Sequence, residues 1–536
     1  MKTLLVGINA KYIHPNLAIR LLQANTKFAC DIVEFNIKDS IEDIYNYVNK
    51  YDIIGFSCYI WNIELIKQII KIISKDKIII LGGPEVSYNA EYYLNNNLCS
   101  YVIKNEGEES FDKLLDYIIN DNGHVNDIPN LYYSGGYTFD KHVDIKKSNM
   151  AYNKLNDVKN QIVYIETSRG CPYHCGYCMA SLDNKVRFFD IEKIKSEILT
   201  LINKDAKVFK FLDRTFNANK QNFLSLIDFI IQNHRKNNSF QFEITGDLLD
   251  EDVIEYINTK APKNLFRFEI GIQSTNIKSN RAVGRIQNNE KLFKNIRLIQ
   301  DKGVIDLHLD LIAGLPYEDY NSFINTFNEV LSLRPKELQL GFLKLLHGTS
   351  LYKEKDKYNY KYSLCAPYEI IENDYMSPKD ILNIHITEEA FEKYYNSIYY
   401  KNSINNVLDK IPNAYSFFYD LGLTIKDKKP RKLEDSFRVL DDYIKTIFDN
   451  TLYNNFHEDL IMDYLNYYNI KPKAWWKEKL GPKEKNSLLR QIKTLYSIDY
   501  SIDELYKYSM IIKLENSFIL AVYKQDSKFI KKFQKI

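Results

Sequence analysis

The chain has 536 residues, more than one ordinary core organises, so two to four domains are expected. Hydrophobic residues make up 45% and charged residues 26%, the balance of a soluble globular protein, and the formal net charge of +2 predicts neither a nucleic-acid patch nor an acidic tail. The longest apolar runs, such as residues 53–61, fall well short of the roughly 18 residues a membrane span needs.

The start, Met1-Lys2-Thr3-Leu4-Leu5-Val6-Gly7, reads as a first strand and not a signal peptide. Residues 1–120 alternate short β-rich runs (3–9, 31–37, 52–59, 77–81, 101–104) with amphipathic stretches such as 16–25, 41–50 and 63–74. That alternation predicts a doubly wound parallel sheet, with any ligand beyond the carboxyl ends of the strands. The loops at those ends carry His14, Ser57, Gly82-Gly83 and Glu106-Gly107. A Gly-Gly turn lets a backbone approach a ligand closely, although most such pairs are only turns. Residues 121–160 read as a linker, with a hairpin of 130–134 and 137–143 around Gly135-Gly136.

Ser168-Arg169-Gly170-Cys171-Pro172-Tyr173-His174-Cys175-Gly176-Tyr177-Cys178 is the most specific stretch. Cys171, Cys175 and Cys178 stand at C-x3-C-x2-C, so one loop can wrap three thiolates around an inorganic core. Structural zinc normally takes four protein ligands; a [4Fe–4S] cluster on three cysteines keeps one iron open. Zinc completed by His174 is the alternative. The other cysteines, Cys30, Cys58, Cys99 and Cys365, are single, with no disulfide framework, which predicts a reducing cytoplasm.

From residue 161 to about 350 six strand–helix units follow. The strands are predicted at 162–167, 208–212, 240–245, 265–272, 305–312 and 337–343, giving a partial (β/α)6 barrel whose chemistry sits at the strands' carboxyl ends. The strands carry polar residues at alternate positions: Glu243 in the third, Arg267 and Glu269 in the fourth, Asp310 in the fifth. Asp213, Arg214 and Asn217 follow the second strand, and Gln273 and Ser274 the fourth. Buried, such groups need partners or a ligand; a satisfied barrel-core network is the other reading. Residues 355–536 show helical patterns at 378–384, 388–400, 403–410, 433–448 and 483–496, a final hairpin at 511–514 and 518–523, and no further cysteine cluster. Trp475-Trp476 among Lys471, Lys473, Lys477 and Lys479 read as an amphipathic helical cap with snorkelling lysines rather than a base-stacking surface.

The cysteine loop resembles that of the radical S-adenosylmethionine (radical SAM) superfamily. Residues 268–274 and 310–316 resemble barrel motifs of its coproporphyrinogen-oxidase-like and methylthiotransferase-like branches. The N-terminal loops, as an ordered set, resemble the cobalamin-binding domain that precedes many such barrels. The domain order, with residues 11–17 and 213–217, is similar to an uncharacterised subgroup with an added C-terminal domain. This resemblance implies a [4Fe–4S] cluster on Cys171, Cys175 and Cys178. S-adenosylmethionine would bind the open iron, and its reductive cleavage would yield a 5′-deoxyadenosyl radical. Tyr177 would lie near the adenine, Glu269, Gln273 and Ser274 near the ribose and amino-acid groups, and the backbone from Ile312 through Gly314 against the adenine. Asp213, Arg214 and Asn217 would meet the methionine end or the substrate. Ser57, Gly82, Gly83, Glu106 and Gly107 would line a cobalamin site. His14 lacks the carboxylate that orients a cobalt-binding histidine, since Tyr12 stands at that position, so it is not expected to ligate cobalt. A small flavodoxin- or ferredoxin-like electron donor is the expected partner. Cobalamin-independent radical chemistry and a non-catalytic cluster or cobalamin sensor stay open, and nothing identifies the substrate.

Overall fold

The structure is a computed structural model and describes residues 1–152, 158, 160–476, 480–515, 517–524 and 527–534. Two compact units divide the chain, Met1–Pro378 and Lys379–Ile536. No helix among the described residues is long and apolar enough to cross a membrane.

The first unit opens with a seven-stranded sheet in the order Cys30–Asn36, Thr3–Asn9, Ile53–Ser57, Ile78–Gly82, Tyr101–Ile103, Leu131–Tyr133, Gly136–Tyr137. Its first five strands are parallel. Thr3–Asn9 and Ile53–Ser57 are buried at every position, as expected of strands covered on both faces. One apolar cluster, with Val6, Ile54 and Ile66, lies on one side, and another, with Leu5, Ile53 and Phe111, on the other. Helix Ile63–Ile72 buries Ile63, Ile66, Ile69 and Ile70, the helical repeat of one apolar face.

The five parallel strands expected over residues 1–120 are all present, and the segment read as a separate hairpin joins them, so the complete sheet is mixed. Leu131–Tyr133 pairs antiparallel with Tyr101–Ile103 and so extends this sheet. The expected hairpin is shorter, because Asn130 turns its side chain to Glu106 O and Lys141 O and holds the returning chain as a loop.

The second sheet has six parallel strands in sequential order: Ile162–Ile165, Val208–Phe211, Ser239–Glu243, Phe266–Gln273, Asp306–Ala313 and Glu337–Phe342. The first and sixth are not paired with each other, so the barrel is open. Helices on its outer face bury a stack that includes Phe209, Phe240, Phe211 and Phe242. Strand Phe266–Gln273 alternates buried and half-buried residues throughout, so its second face lines a lumen. At the first edge, Ile162 N donates to Ile13 O at 2.9 Å. Beyond the barrel a strap returns to its mouth. Leu345 N donates to Tyr368 O at 3.0 Å and Ile370 N to Leu343 O at 3.1 Å.

The second unit is mainly helical: Pro378–Tyr394 (entering from the boundary), Lys401–Leu408, Ala414–Lys428, Leu433–Ile447, Asn450–Tyr467, Pro482–Tyr496 and Ile502–Tyr508. A three-stranded antiparallel sheet, Ser509–Lys513, Ser517–Lys524 and Ser527–Gln534, follows. The two helices expected over 378–400 are one, since Thr387 at its middle is fully buried and donates to Asn383 O. Trp475 and Trp476 are not helical as expected. They are buried in an irregular segment against Tyr464. Lys477 and Lys479 lie outside the described residues.

Candidate functional site

The cysteine loop is pinned on three sides. Ser168–Arg169 pairs antiparallel with Arg187–Phe188 at its base. Cys171 N donates to Asp183 O at 2.9 Å, Gly176 N to Val283 O at 2.7 Å, and Leu351 N to Gly176 O at 2.9 Å. Gly170 has φ +86°, and a Cβ there would stand 2.6 Å from Lys185 O, so only glycine fits this turn. Cys171 and Cys175 are buried and Cys178 partly so, all three as free thiols. Burial raises the Cys178 thiol pKa, Arg214 opposes that, and Cys175 and Cys171 raise it further. Thr215 Oγ1 lies 3.8 Å from Cys171 Sγ, and Arg285 Nη1 3.9 Å from Cys175 Sγ. The Arg214 and Arg285 guanidiniums thus place positive charge beside the cysteines, where a bound metal centre would hold them as thiolates.

The donor set suits a cluster better than a single zinc ion. A tetrahedral zinc at about 2.3 Å from each sulfur brings the sulfurs within about 4 Å of one another. Among the described residues, the one group of three metal-type ligand atoms within 4.8 Å is Glu106, His142 and Asp183, not the cysteines. Even that group is occupied by charge partners, since Arg187 Nη2 lies 2.8 Å from Glu106 and 2.6 Å from Asp183. His174 is exposed.

Residues expected near S-adenosylmethionine divide into two sets. Tyr177 Oη accepts from Arg285 Nη1 at 3.3 Å, and Arg285 Nη2 donates to Gly271 O, tying the cysteine loop to the fourth barrel strand. Gln273 has φ +67° and folds over the space a Gly271 side chain would fill. Its Oε1 is buried without a partner, an acceptor open to a ligand at the mouth. By contrast, Ser274 is fully buried and donates to Glu318 Oε1 at 2.5 Å, so its hydroxyl shapes the loop. Burial pushes the Glu318 carboxyl pKa up to about 7 against hydrogen bonds from Ser274 and Thr326. Gly314 has φ +93°, and its carbonyl accepts from Tyr360 Oη and Asn373 Nδ2, both at 2.9 Å, under the strap. Ile312 is half-buried on the lumen side. Glu269 lies deeper, with Lys210 Nζ 3.2 Å from its Oε2.

After the second strand the roles also split. Asp213 is buried and accepts from Thr167 N at 3.0 Å, Thr167 Oγ1 at 2.6 Å and Ser168 Oγ at 2.5 Å, anchoring the cysteine loop's base. Asn217 is buried, donating to Thr245 O at 2.9 Å and accepting from Thr245 N at 3.0 Å. Arg214 alone of the three faces open space, its side chain 55% exposed and 3.7 Å from Glu243 Oε2.

Ser57, Gly82, Gly83, Glu106 and Gly107 all line one cavity of about 1030 Å³, which reaches the barrel side at Glu166 and Arg169. Another branch runs between the N-terminal sheet and its helices at Leu22 and Phe111. Gly83 has φ +113°, and a Cβ there would stand 2.5 Å from Cys58 O. His14 is not among the lining residues. Its Nδ1 lies 2.5 Å from Tyr164 Oη of the first barrel strand, and burial, then Lys11 and Lys210, lower its pKa.

Comparison with known families matches residues 3–115 to the B12 binding domain, 165–330 to the Radical SAM superfamily, and 356–533 to a protein of unknown function (DUF4080). The chain is a radical SAM protein with an added B12-binding domain and a C-terminal extension. This radical SAM protein is 20% identical, over 329 residues, to the 2-(S-pantetheinyl)-carbapenam-3-carboxylate methyltransferase of Streptantibioticus cattleyicolor, covering 55% of this chain and 46% of that one. The chain spans about half the length of the curated relatives it matches. Among solved structures it is similar in fold to the cobalamin-dependent S-adenosylmethionine radical enzyme OxsB with aqua-cobalamin and S-adenosylmethionine bound. That likeness has a TM-score of 0.61 and 15% identity over 92% of this chain and 83% of that chain. It is also similar to the radical S-adenosylmethionine methyltransferase TsrM of Kitasatospora setae with cobalamin and a [4Fe-4S] cluster bound, with a TM-score of 0.55 and 15% identity over 67% and 75%.

In this radical SAM protein one contact set joins the B12-binding domain to the cysteine loop. Arg169, two residues before Cys171, lies 3.3 Å from Glu106, 2.6 Å from Glu108 and 2.9 Å from Glu166. Arg187 adds Glu106 and Asp183. Glu106, expected to meet cobalamin, thus spends its carboxylate on two arginines. Sequence reading missed Arg285, Arg169 and Glu318. Arg285 stands beside Gly284, whose φ is +66°, the one local signal that marked it.

Proposed function

We propose that this chain is a cobalamin-dependent radical SAM enzyme that transfers a methyl group to, or otherwise modifies by radical chemistry, a polar substrate. The observation that carries the reading is the single cavity shared by the strand ends of the B12-binding domain and the barrel mouth beside the cysteine loop. Cys171, Cys175 and Cys178 hold the [4Fe–4S] cluster, and Arg214 and Arg285 offset the thiolate charge. Bound in these places, the cluster supplies the electron that cleaves S-adenosylmethionine, and cobalamin supplies the methyl group.

Gln273 offers its unpartnered Oε1 to a hydroxyl of S-adenosylmethionine, and Tyr177 and Arg285 shape the mouth around it. The Gly82-Gly83 turn admits the second cofactor close to the backbone, and the apolar branch at Leu22 and Phe111 excludes water from it. Lys210, Glu243, Glu269 and Asp310 line the lumen half-exposed. Groups left so in an open interior favour a substrate that can hydrogen-bond to them.

Anaerobically reconstituted protein with dithionite and S-adenosylmethionine should form 5′-deoxyadenosine, and Cys175→Ala should form none. Cobalamin should stay with the protein through desalting, read by its visible absorption. An intact cluster that never yields 5′-deoxyadenosine would sink the radical SAM reading. Protein that emerges free of cobalamin would sink the cobalamin part alone.

A further inference from the structure

The cluster site needs an electron from outside, and the segment that lies over the cysteine loop is residues 277–288. Val283 O accepts from Gly176 N at 2.7 Å. Gly284 passes so close that a Cβ would stand 2.9 Å from His174 O. Arg285 reaches inward, with Nη1 3.9 Å from Cys175 Sγ. The backbone of this segment is therefore one layer outside the thiols.

Its outward side is unusual. Ile286 is 84% exposed and Ile277 60%, and Lys278 and Arg281 are exposed with them. From residue 275 to 289 the chain has three cations and no carboxylate. Among the described residues no salt bridge engages Lys278 or Arg281, although lysines nearby are paired, Lys294 with Glu251 for example. Of the carboxylates nearby, Asp247 Oδ2 accepts from Asn288 N at 3.0 Å, and Asp319 caps the helix Tyr320–Leu331 through Ser322 N, while Glu290, exposed, follows the segment. Two bare aliphatic side chains among unpaired cations, over a redox site, suit a weak polar-rimmed contact. The cations steer an acidic partner, and the aliphatics allow close approach. Contacts of small redox proteins are of this modest kind.

We propose that residues 277–288 form the docking surface for a small acidic one-electron carrier protein that reduces the cluster. The proposal rests on the reading of Cys171, Cys175 and Cys178 as cluster ligands. One electron leaves the carrier and one enters the cluster; no bond forms or breaks at the contact.

The test uses full-length reconstituted protein and the double variant Lys278→Glu/Arg281→Glu, with Ile286→Asp as a second variant. The probes are a flavodoxin and a ferredoxin, each measured for affinity at low and high salt. 5′-Deoxyadenosine formation is measured with each carrier and with dithionite. The charge-reversed protein should bind the carriers about tenfold or more weakly, lose most of the salt dependence, and slow carrier-driven turnover in proportion. Its dithionite-driven rate should stay within about twofold of the unmodified protein. Unchanged affinity in both variants, or failure of the unmodified protein to bind either carrier, overturns the docking surface. If dithionite gives no 5′-deoxyadenosine with the unmodified protein, the functional reading fails instead, and the affinity arm still decides the surface.

Discussion

In the N-terminal sheet, Thr3–Asn9 and Ile53–Ser57 are buried at every position, whereas Phe266–Gln273 of the barrel alternates buried and half-buried residues. Both sheets are built on parallel strands, and both have helices between strands. The first is covered on two faces, so its strands carry no chemistry and only their ends can meet a ligand. The second is covered on one face and curls around a lumen, so its inner side chains can be ionic. Burial pattern, not strand direction, tells where each half can hold a polar ligand.

That contrast can be broken most directly by matched truncations. Leu4→Ala, in a fully buried strand, should cost about 2–5 kcal/mol. Glu269→Ala, facing the lumen, should cost less than about 1 kcal/mol while depressing turnover. Denaturant midpoints of the two variants settle it, and equal losses would mean that the lumen is a closed core. Next in size is Gly83→Ala at a strand end of the first sheet. The left-handed backbone and the contact with Cys58 O should cost about 1–3 kcal/mol. Cobalamin affinity, followed by absorbance titration, should fall at least tenfold, with reductive cleavage by dithionite retained.

Glu318 tests the support beneath the barrel mouth. Its folded pKa is raised to about 7 from an ordinary 4.5, so the stability it contributes is complete below about pH 4.5 and is lost as pH rises through 7. Glu318→Gln should remove part of the decline in unfolding free energy over that window, on the order of 1–3 kcal/mol, read from denaturant midpoints across pH. Glu85 and Glu197, also raised to about 7 by burial, should keep the rest. A Glu318→Gln profile parallel to the unmodified one would show that this carboxyl does not titrate there. The smallest effect belongs to His14. Losing its contact with Tyr164 should cost about 0.5–1.5 kcal/mol, and the visible spectrum of bound cobalamin should not move in His14→Ala. A moved spectrum would place His14 on the cobalt after all.

Much of this was legible in the chain itself. The period of apolar residues set out both sheets, because a strand between helices must be apolar and a lumen strand must alternate. The three-cysteine spacing is local, so the loop that carries it could be read without the fold. What the sequence could not separate were neighbours of like chemistry. Asp213 and Arg214 are adjacent, yet Asp213 turns inward to Thr167 and Ser168 and Arg214 outward toward Glu243. Gln273 and Ser274 are adjacent, yet one keeps a free acceptor and the other is consumed by Glu318, 44 positions away. Glu106 stands at a strand end that lines the cavity, yet it answers to Arg169 and Arg187.

The sequence by itself determined the element order, the thiol triplet and the alternation that marks an open lumen, since each depends on residues within a few positions. Only the tertiary structure decided which polar groups were left for a ligand. A buried carboxylate or hydroxyl takes whichever partner the packing brings within reach, and for Asp213, Ser274 and Glu106 that partner came from a distant part of the chain. Arg285 came to the thiols in the same way, from 110 residues beyond Cys175.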